Sequence, residues 1–451
     1  MPIPILFLIT FILRASNLSP WLADWDSVQF ALAIKDFNMV NHLPHPPGYP
    51  VYIFLARLIN YFTNNPTLSL TLLSAFAGSL SIIFFYLIAK KFLSPTNAFL
   101  SSLILSFTPV HWLLSEVALS NIPGLAISLL SIYLLFLSRQ KPYFLPVTSF
   151  LTGLTLGIRF DEFTILLILL LYINYSLKFK HLIRSAFYST LGCLLWLTPL
   201  IIDTDLSEFL KTYLSQSNYI LFHDSVTNAG LLSHLSFVKI NFARATTLPL
   251  ALLLIFSLFP FLKKLSYKNF KNSFLFLWFI SFALPVVFIY NPELPRTYLP
   301  LIPPFLILAA LSISRLSKKF YTLASTILIV YLFSVSHPLV HAQKTTISPS
   351  ILPVLFVTET FSPDETTLLT SFTYRHFQFY APEFQNYWTA KHFPSQFNSL
   401  YLITDYQKTA DENHLLNTYT YLNTIEFRGP PEVFPRLPQT NLYIYQKTNE
   451  E

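Results

Sequence analysis

Two carboxylates, Asp24 and Asp26, flank Trp25 shortly after the first apolar run of the chain. With Trp21 nearby, they sit where a span leaves the membrane, the usual place for indole side chains. A carboxylate there can take a proton from a hydroxyl or amide nucleophile, which is general-base work. The bland alternative is a solvated acid, or Asp26 capping a helix over 27–37. Next comes His45-Pro46-Pro47-Gly48-Tyr49-Pro50. Its prolines fix φ and Gly48 permits a turn closed to other residues, so the loop can hold His45 and Tyr49 at low entropy cost. The competing reading is a rigid corner that only orients the following helix.

Glu116 lies near the end of an apolar run, and an intramembrane acid is a functional candidate by default. Its alternative is a satisfied acid bonded to Asn121 or to backbone. Arg57 can snorkel from an interfacial helix over 51–62. Arg159 can pair with Asp161 or Glu162, and Arg296 with Glu293. His111 reads as a packing residue. His223, Asp224 and His234 lack a metal-ligand spacing. Asn17-Leu18-Ser19 matches a glycosylation sequon, a pattern common by chance. Cys193 is the only cysteine, so an internal disulfide and a Cys-type zinc site are excluded.

The elements that must position these residues follow from composition. Of 451 residues, 53% are hydrophobic and only 11% charged, against about 25% charged in an ordinary soluble protein. This excludes a soluble enzyme, a disordered chain and a collagen-like chain, and predicts an all-α polytopic membrane protein. Apolar runs near 3–18, 67–89, 97–118, 121–138, 143–158, 163–177, 185–202, 246–262, 273–290, 298–314 and 320–336 predict eleven spans. The first lacks a basic start and a cleavage site, so it reads as a retained span.

Fourteen Lys and Arg residues fall in one set of short loops, from Lys90 to Lys319, without an acid among them. All eleven acids of the first 336 residues fall on the other side. The basic loops therefore face the cytoplasm, with the N-terminus inside and the C-terminus outside. The net charge of +7 is a topology signal and not a nucleic-acid patch. The chain divides into a membrane domain over 1–336, with a first external loop over 19–66, and an external α/β domain over 337–451. Strands in that domain are predicted at Val354–Thr358, Thr367–Phe372, Leu400–Thr404 and Leu442–Gln446.

The order Asp26-x-x-x-Phe30, then His45–Pro50 with Val51-Tyr52 and Arg57, then Trp112-x-x-x-Glu116-Val117, resembles the GT-C membrane glycosyltransferases. The hexapeptide is similar to the protein O-mannosyltransferase-like branch. Gly153-x-x-x-Gly157 resembles a segment of that branch, and the stretch from Arg296 through Tyr298 to Pro303 resembles a late R-x-Y-x-x-P span of the superfamily. Ser27 stands at the superfamily's usual Glu position and Gln29 where the closer branch often has Glu, so a second acid is missing unless Asp24 replaces it.

The resemblance implies transfer of a sugar, mannose-like, from a polyprenyl-phosphate donor to a protein or lipid acceptor, with inversion, at the outer face of a bilayer. Asp26 is then the base and Asp24 the second choice. Arg296 beside Tyr298 serves the leaving phosphate, ahead of Arg57 and Arg159. Glu116, His45 and Tyr49 complete the set, His45 bonding a sugar or phosphate or orienting Asp26. The resemblance admits a divalent metal without requiring one. Compact loops and the lack of a targeting motif point to a prokaryotic plasma membrane. Two other classes compete. A transporter or flippase needs charges near mid-span and paired broken helices, and a non-catalytic scaffold needs only the external domain as a binding module.

Overall fold

The computed structural model describes residues 3–175, 179–263, 269–313, 318–390, 397–406 and 418–448. The chain is mostly helical, with one small five-stranded sheet near its C-terminus. It forms two compact units, one of residues up to Leu18 and Ala33–Val340, the other of Ser19–Leu32 and His341–Glu451.

Among the described residues of the chain, six helices are long and apolar enough to cross a membrane. They are Pro66–Ala89, Asn121–Ser138, Phe179–Thr204, Phe270–Phe288, Pro295–Ile313 and Lys319–Thr345. A pair bent by 114°, Leu231–Thr246 and Leu248–Phe259, makes a seventh if counted as one span. Eleven spans are not reached by this measure because several apolar runs form short helices. Ile3–Ala15 has 13 residues, about 20 Å of helix. The run at 97–118 is broken into Pro95–Phe107 and Pro109–Leu114. Thr108 between them is extended, as the residue before a proline prefers.

In the first unit the Pro66–Ala89 helix is an interior element, with 67% of its span buried, whereas the figure for Phe179–Thr204 is 22%. The latter turns Phe187, Leu191 and Leu195 outward at helical spacing, a face suited to lipid chains. Its other face crosses Leu145–Leu156 at Gly153 and Gly192. A Cβ on Gly153 would collide with the Ser189 carbonyl, and one on Gly192 with that of Phe150. Such glycine contacts let backbones approach closely. Trp196 Nε1 then donates to the Gly153 carbonyl at 3.1 Å.

The Pro50–Thr63 helix buries Tyr52, Ile53 and Ala56 and turns Phe54, Leu58, Tyr61 and Phe62 outward. That apolar face matches the interfacial helix expected over 51–62.

In the second unit the strands are β1 (Thr366–Thr370), β2 (Gln385–Trp388), β3 (Tyr401–Thr404), β4 (Tyr419–Arg428) and β5 (Gln439–Lys447), in the order β2-β1-β3-β5-β4. β1 runs parallel to β2 and β3, while β5 is antiparallel to β3 and β4. The strand expected at Val354–Thr358 is instead part of the helix Leu352–Thr360. Pro353 suits the first helical turn, and Val354 and Val357, three apart, bury one helical face in the core with Leu368, Ile403 and Leu442. The residue chosen as the domain boundary, 337, lies inside the helix Lys318–Thr345.

Asp405, just after β3, accepts from Ser371 N at 2.7 Å, Thr373 N at 2.6 Å and Thr373 Oγ1 at 2.9 Å. It thereby closes the turn into the helix Tyr374–Tyr380. Burial pushes its carboxyl up from the usual range, and those donors oppose the shift.

Residues 19–32 are tied to the same unit. Leu22 N donates to Tyr380 Oη at 2.9 Å, and Ser350 Oγ to the Ala23 carbonyl at 2.8 Å.

Candidate functional site

Asp24 and Asp26 divide their work. Asp24 is the cap of the helix Trp25–Lys35: its Oδ1 accepts from Asp26 N at 2.9 Å, and its carbonyl from Ser27 N at 3.0 Å. Ser27 donates its hydroxyl to the same carbonyl at 2.5 Å. The sequence pointed to Asp26 as the cap, and the structure moves that role two residues back. Asp26 therefore lies in the first turn with its carboxylate outside the capping bonds.

Both carboxylates meet Arg436. Its Nη1 lies 3.0 Å from Asp24 Oδ1 and 3.2 Å from Asp26 Oδ2. Side-chain exposure is 13% for Asp26, 23% for Asp24 and 44% for Arg436. Asp26 first and Asp24 second hold the guanidinium pKa above its ordinary value. Nothing in the sequence marked Arg436. Beside the acids, Trp25 lies 6.1 Å from Trp388, which stacks on Tyr374 at 5.7 Å.

In the first unit the hexapeptide forms a tight corner. Gly48 has φ 93° and Tyr49 φ 49°, both in the left-handed region. Gly48 reaches it freely, whereas Tyr49 is held there between Gly48 and the helix starting at Pro50. Gly48 N donates to the His45 carbonyl at 3.0 Å, and His45 Nε2 lies 2.9 Å from Tyr49 Oη. Val51 N donates to the Gly157 carbonyl at 3.0 Å, which docks the corner on the turn carrying Arg159. Gly157 is needed there, since a Cβ would lie 2.6 Å from Val51 Cγ2.

Arg159 makes a forked pair with Asp161 at 2.8 and 2.7 Å. Tyr49 and Glu162 are close enough to act on its charge. The ion-pair reading of Arg159 thus describes its geometry.

Other candidates have framework partners. Arg57 donates to the Ile34 carbonyl at 2.9 Å and the Ala33 carbonyl at 3.0 Å. Tyr298 is fully buried and donates to the Pro292 carbonyl at 2.8 Å. Arg296 is half-buried on the 3-10 turn Pro295–Leu301. Glu116 is fully buried and accepts from Trp112 Nε1 at 2.7 Å, a partner other than the Asn121 or backbone considered from the sequence.

The residue that sequence reasoning missed beside Glu116 is Arg14, also fully buried. It donates to the Thr10 carbonyl, to Ser106 and, at 3.3 Å, to His111 Nδ1. His111 Nε2 lies 2.8 Å from Ser81 Oγ. An Arg donor at Nδ1 assigns the neutral tautomer with its proton on Nε2. At the end of an apolar run Arg14 looks like an interface anchor, and only packing shows it to be interior. Among the described residues, no three His, Cys, Asp or Glu side chains come together as a metal site. At Asp24 and Asp26 the neighbour that is present is a cation.

Residues 44–202, which begin at the hexapeptide corner, match the sequence model of the dolichyl-phosphate-mannose-protein mannosyltransferase family. ArnT from Cupriavidus metallidurans bound to undecaprenyl phosphate shares the fold, with a TM-score of 0.64 at 12% identity over 98% of this chain and 97% of that one. Its apo state gives 0.62 at 11% identity over the same shares. The archaeal oligosaccharyltransferase AglB from Archaeoglobus fulgidus, in complex with an inhibitory peptide and a dolichol-phosphate, gives 0.50 at 12% identity over 89% and 69%. Comparison with curated proteins finds no match. The resemblance to the GT-C membrane glycosyltransferases is borne out by the family model and by the fold.

Proposed function

We propose that the protein transfers a sugar from a polyprenyl-phosphate carrier to a hydroxyl or amide acceptor at the extracytoplasmic face of a prokaryotic plasma membrane. The acceptor O–H or N–H gives its proton to the Asp26 carboxylate as the acceptor atom attacks the anomeric carbon. The bond from that carbon to the phosphate oxygen breaks, the carrier phosphate leaves with the electron pair, and the sugar configuration inverts. The observation that carries this reading is the place of Asp26 in the first turn of the helix that Asp24 caps, its partly exposed carboxylate 3.2 Å from Arg436 Nη1.

For the leaving phosphate the candidates are Arg296, His45 and Tyr49. A guanidinium fork and an ordered imidazole suit phosphate oxygens. Arg57 and Arg159 rank lower because carbonyls and Asp161 already occupy their nitrogens. Glu116 and Tyr298 act as framework.

Support for a polyprenyl donor comes from the fold shared with ArnT, whose structure is bound to undecaprenyl phosphate. The sugar, mannose-like by the family model, and the acceptor, a protein or a lipid, are the finer parts of the proposal.

The test is sugar transfer in nanodiscs from a panel of polyprenyl-phosphate sugars, for wild type, Asp26→Asn and Arg296→Ala, with and without a chelator. Transfer lost in Asp26→Asn supports the base. Full transfer in that variant overturns the mechanism. The chelator arm decides whether a divalent metal is needed.

A further inference from the structure

We infer that Arg436 is a positioning residue for the two first-loop carboxylates, holding Asp26 at one point in space while Asp24 keeps the helix cap. The inference rests on the reading of Asp26 as base and goes beyond it, because it assigns a role in transfer to the C-terminal unit.

Two rigid supports converge on the contact. On one side, Gly429 N donates to the Pro438 carbonyl at 2.9 Å and closes the loop from β4 to β5. Pro430, Pro431, Pro435 and Pro438 stiffen that loop, since each fixes its own φ. Phe434 is buried, and Gly429 packs so tightly that a Cβ there would lie 2.8 Å from Pro349 Cδ and 3.0 Å from Phe434 Cδ2. Arg436 thus leaves an anchored loop.

On the other side, the residues before the acids are fixed at Leu22 and Ala23, the Ala23 carbonyl also lying 3.3 Å from His376 Nε2. The cationic Arg436 from the β4–β5 loop and the neutral His376 from the helix Tyr374–Tyr380 are both close enough to act on these acids.

The contact geometry sets the test. One nitrogen, Nη1, reaches both carboxylates. A compact ammonium can do the same, whereas at a forked site a lysine cannot replace an arginine. Arg436→Lys should therefore keep the function and Arg436→Met should lose it.

Full-length protein in nanodiscs is assayed for transfer and for amide hydrogen exchange. For Arg436→Met the expected result is a fall in kcat of about 10- to 100-fold with KM for the donor unmoved. Amides of residues 24–28 exchange faster, and those of β1 and β3 are unchanged. Arg436→Lys restores both readouts.

Wild-type kcat and wild-type exchange in Arg436→Met overturn the inference while leaving Asp26 as base. If wild type transfers from no donor, the proposed function falls, and the exchange arm alone decides whether Arg436 orders the acids. If Arg436→Met unfolds the second unit, Arg436→Gln set against Arg436→Lys carries the same comparison.

Discussion

The two units hold charge in opposite ways. In the first, Arg14, His111 and Glu116 are wholly buried, bonded to one another's neighbours and, between Arg14 and His111, directly, through carbonyls, hydroxyls, an imidazole and an indole N–H. Such a network is costly to assemble and more costly to break, because removing one member strands another in a medium of low polarity. It suits a fixed framework. In the second unit Asp24, Asp26 and Arg436 are partly exposed. There the Asp26 carboxylate is bonded to Arg436 yet keeps part of its surface open. A general base needs that second condition.

The comparison can be broken at its largest expected effect. Asp26→Asn should lower transfer by about 10²- to 10⁴-fold, the usual worth of a general base, with an unchanged melting temperature. Transfer kinetics beside a thermal melt check both halves. Arg14→Met should do the reverse. It should cost about 1–3 kcal/mol of stability by removing the buried donor to the Thr10 carbonyl, Ser106 and His111, read as a lowered melting temperature of the detergent-solubilised protein. A stable but inactive Arg14→Met would erase the distinction between framework and site.

A third effect is pH-dependent. Burial pushes the His376 pKa down to about 4, against opposing help from the Ala23 carbonyl and Asp24. Protonation is thus disfavoured in the folded state. The stabilising contribution is full above the unfolded pKa of about 6.5, and is lost as pH falls through 4. The loss is about 3 kcal/mol. Melting of wild type against His376→Gln between pH 7 and pH 4 should show the slope in wild type alone.

The smallest effect belongs to the cap. Asp24→Ala should cost about 0.5–2 kcal/mol and lower transfer less than Asp26→Asn. Equal loss of transfer from the two variants would mean that the acids act as one unit.

Much of the first unit was legible because span formation depends on local run length. The run at 121–138 became the helix Asn121–Ser138, and that at 67–89 became Pro66–Ala89. The strands at 367–372, 400–404 and 442–446 were legible through their β-branched and aromatic residues. Val354–Thr358 carried the same signal and folded as helix. Propensity is a weak prior that packing overrides, here by burying Val354 and Val357 on one helical face. Of the candidate site, the acids and the stiff corner were visible as residue types. Their partners were not. Arg57 and Tyr298 spend their donors on carbonyls that no spacing rule identifies.

By itself the sequence determined that the chain is helical and apolar, which residues could act as base or bind phosphate, and which segments are stiff. These are properties of a residue and its near neighbours, set by side-chain chemistry, run length and φ. The tertiary structure decided that residues 19–32 join the C-terminal unit. It also decided that Arg436 meets Asp24 and Asp26 across 412 and 410 positions of chain. A contact between residues so far apart forms only when the intervening chain has packed, and a lone arginine in a proline-rich loop carries no local sign of it.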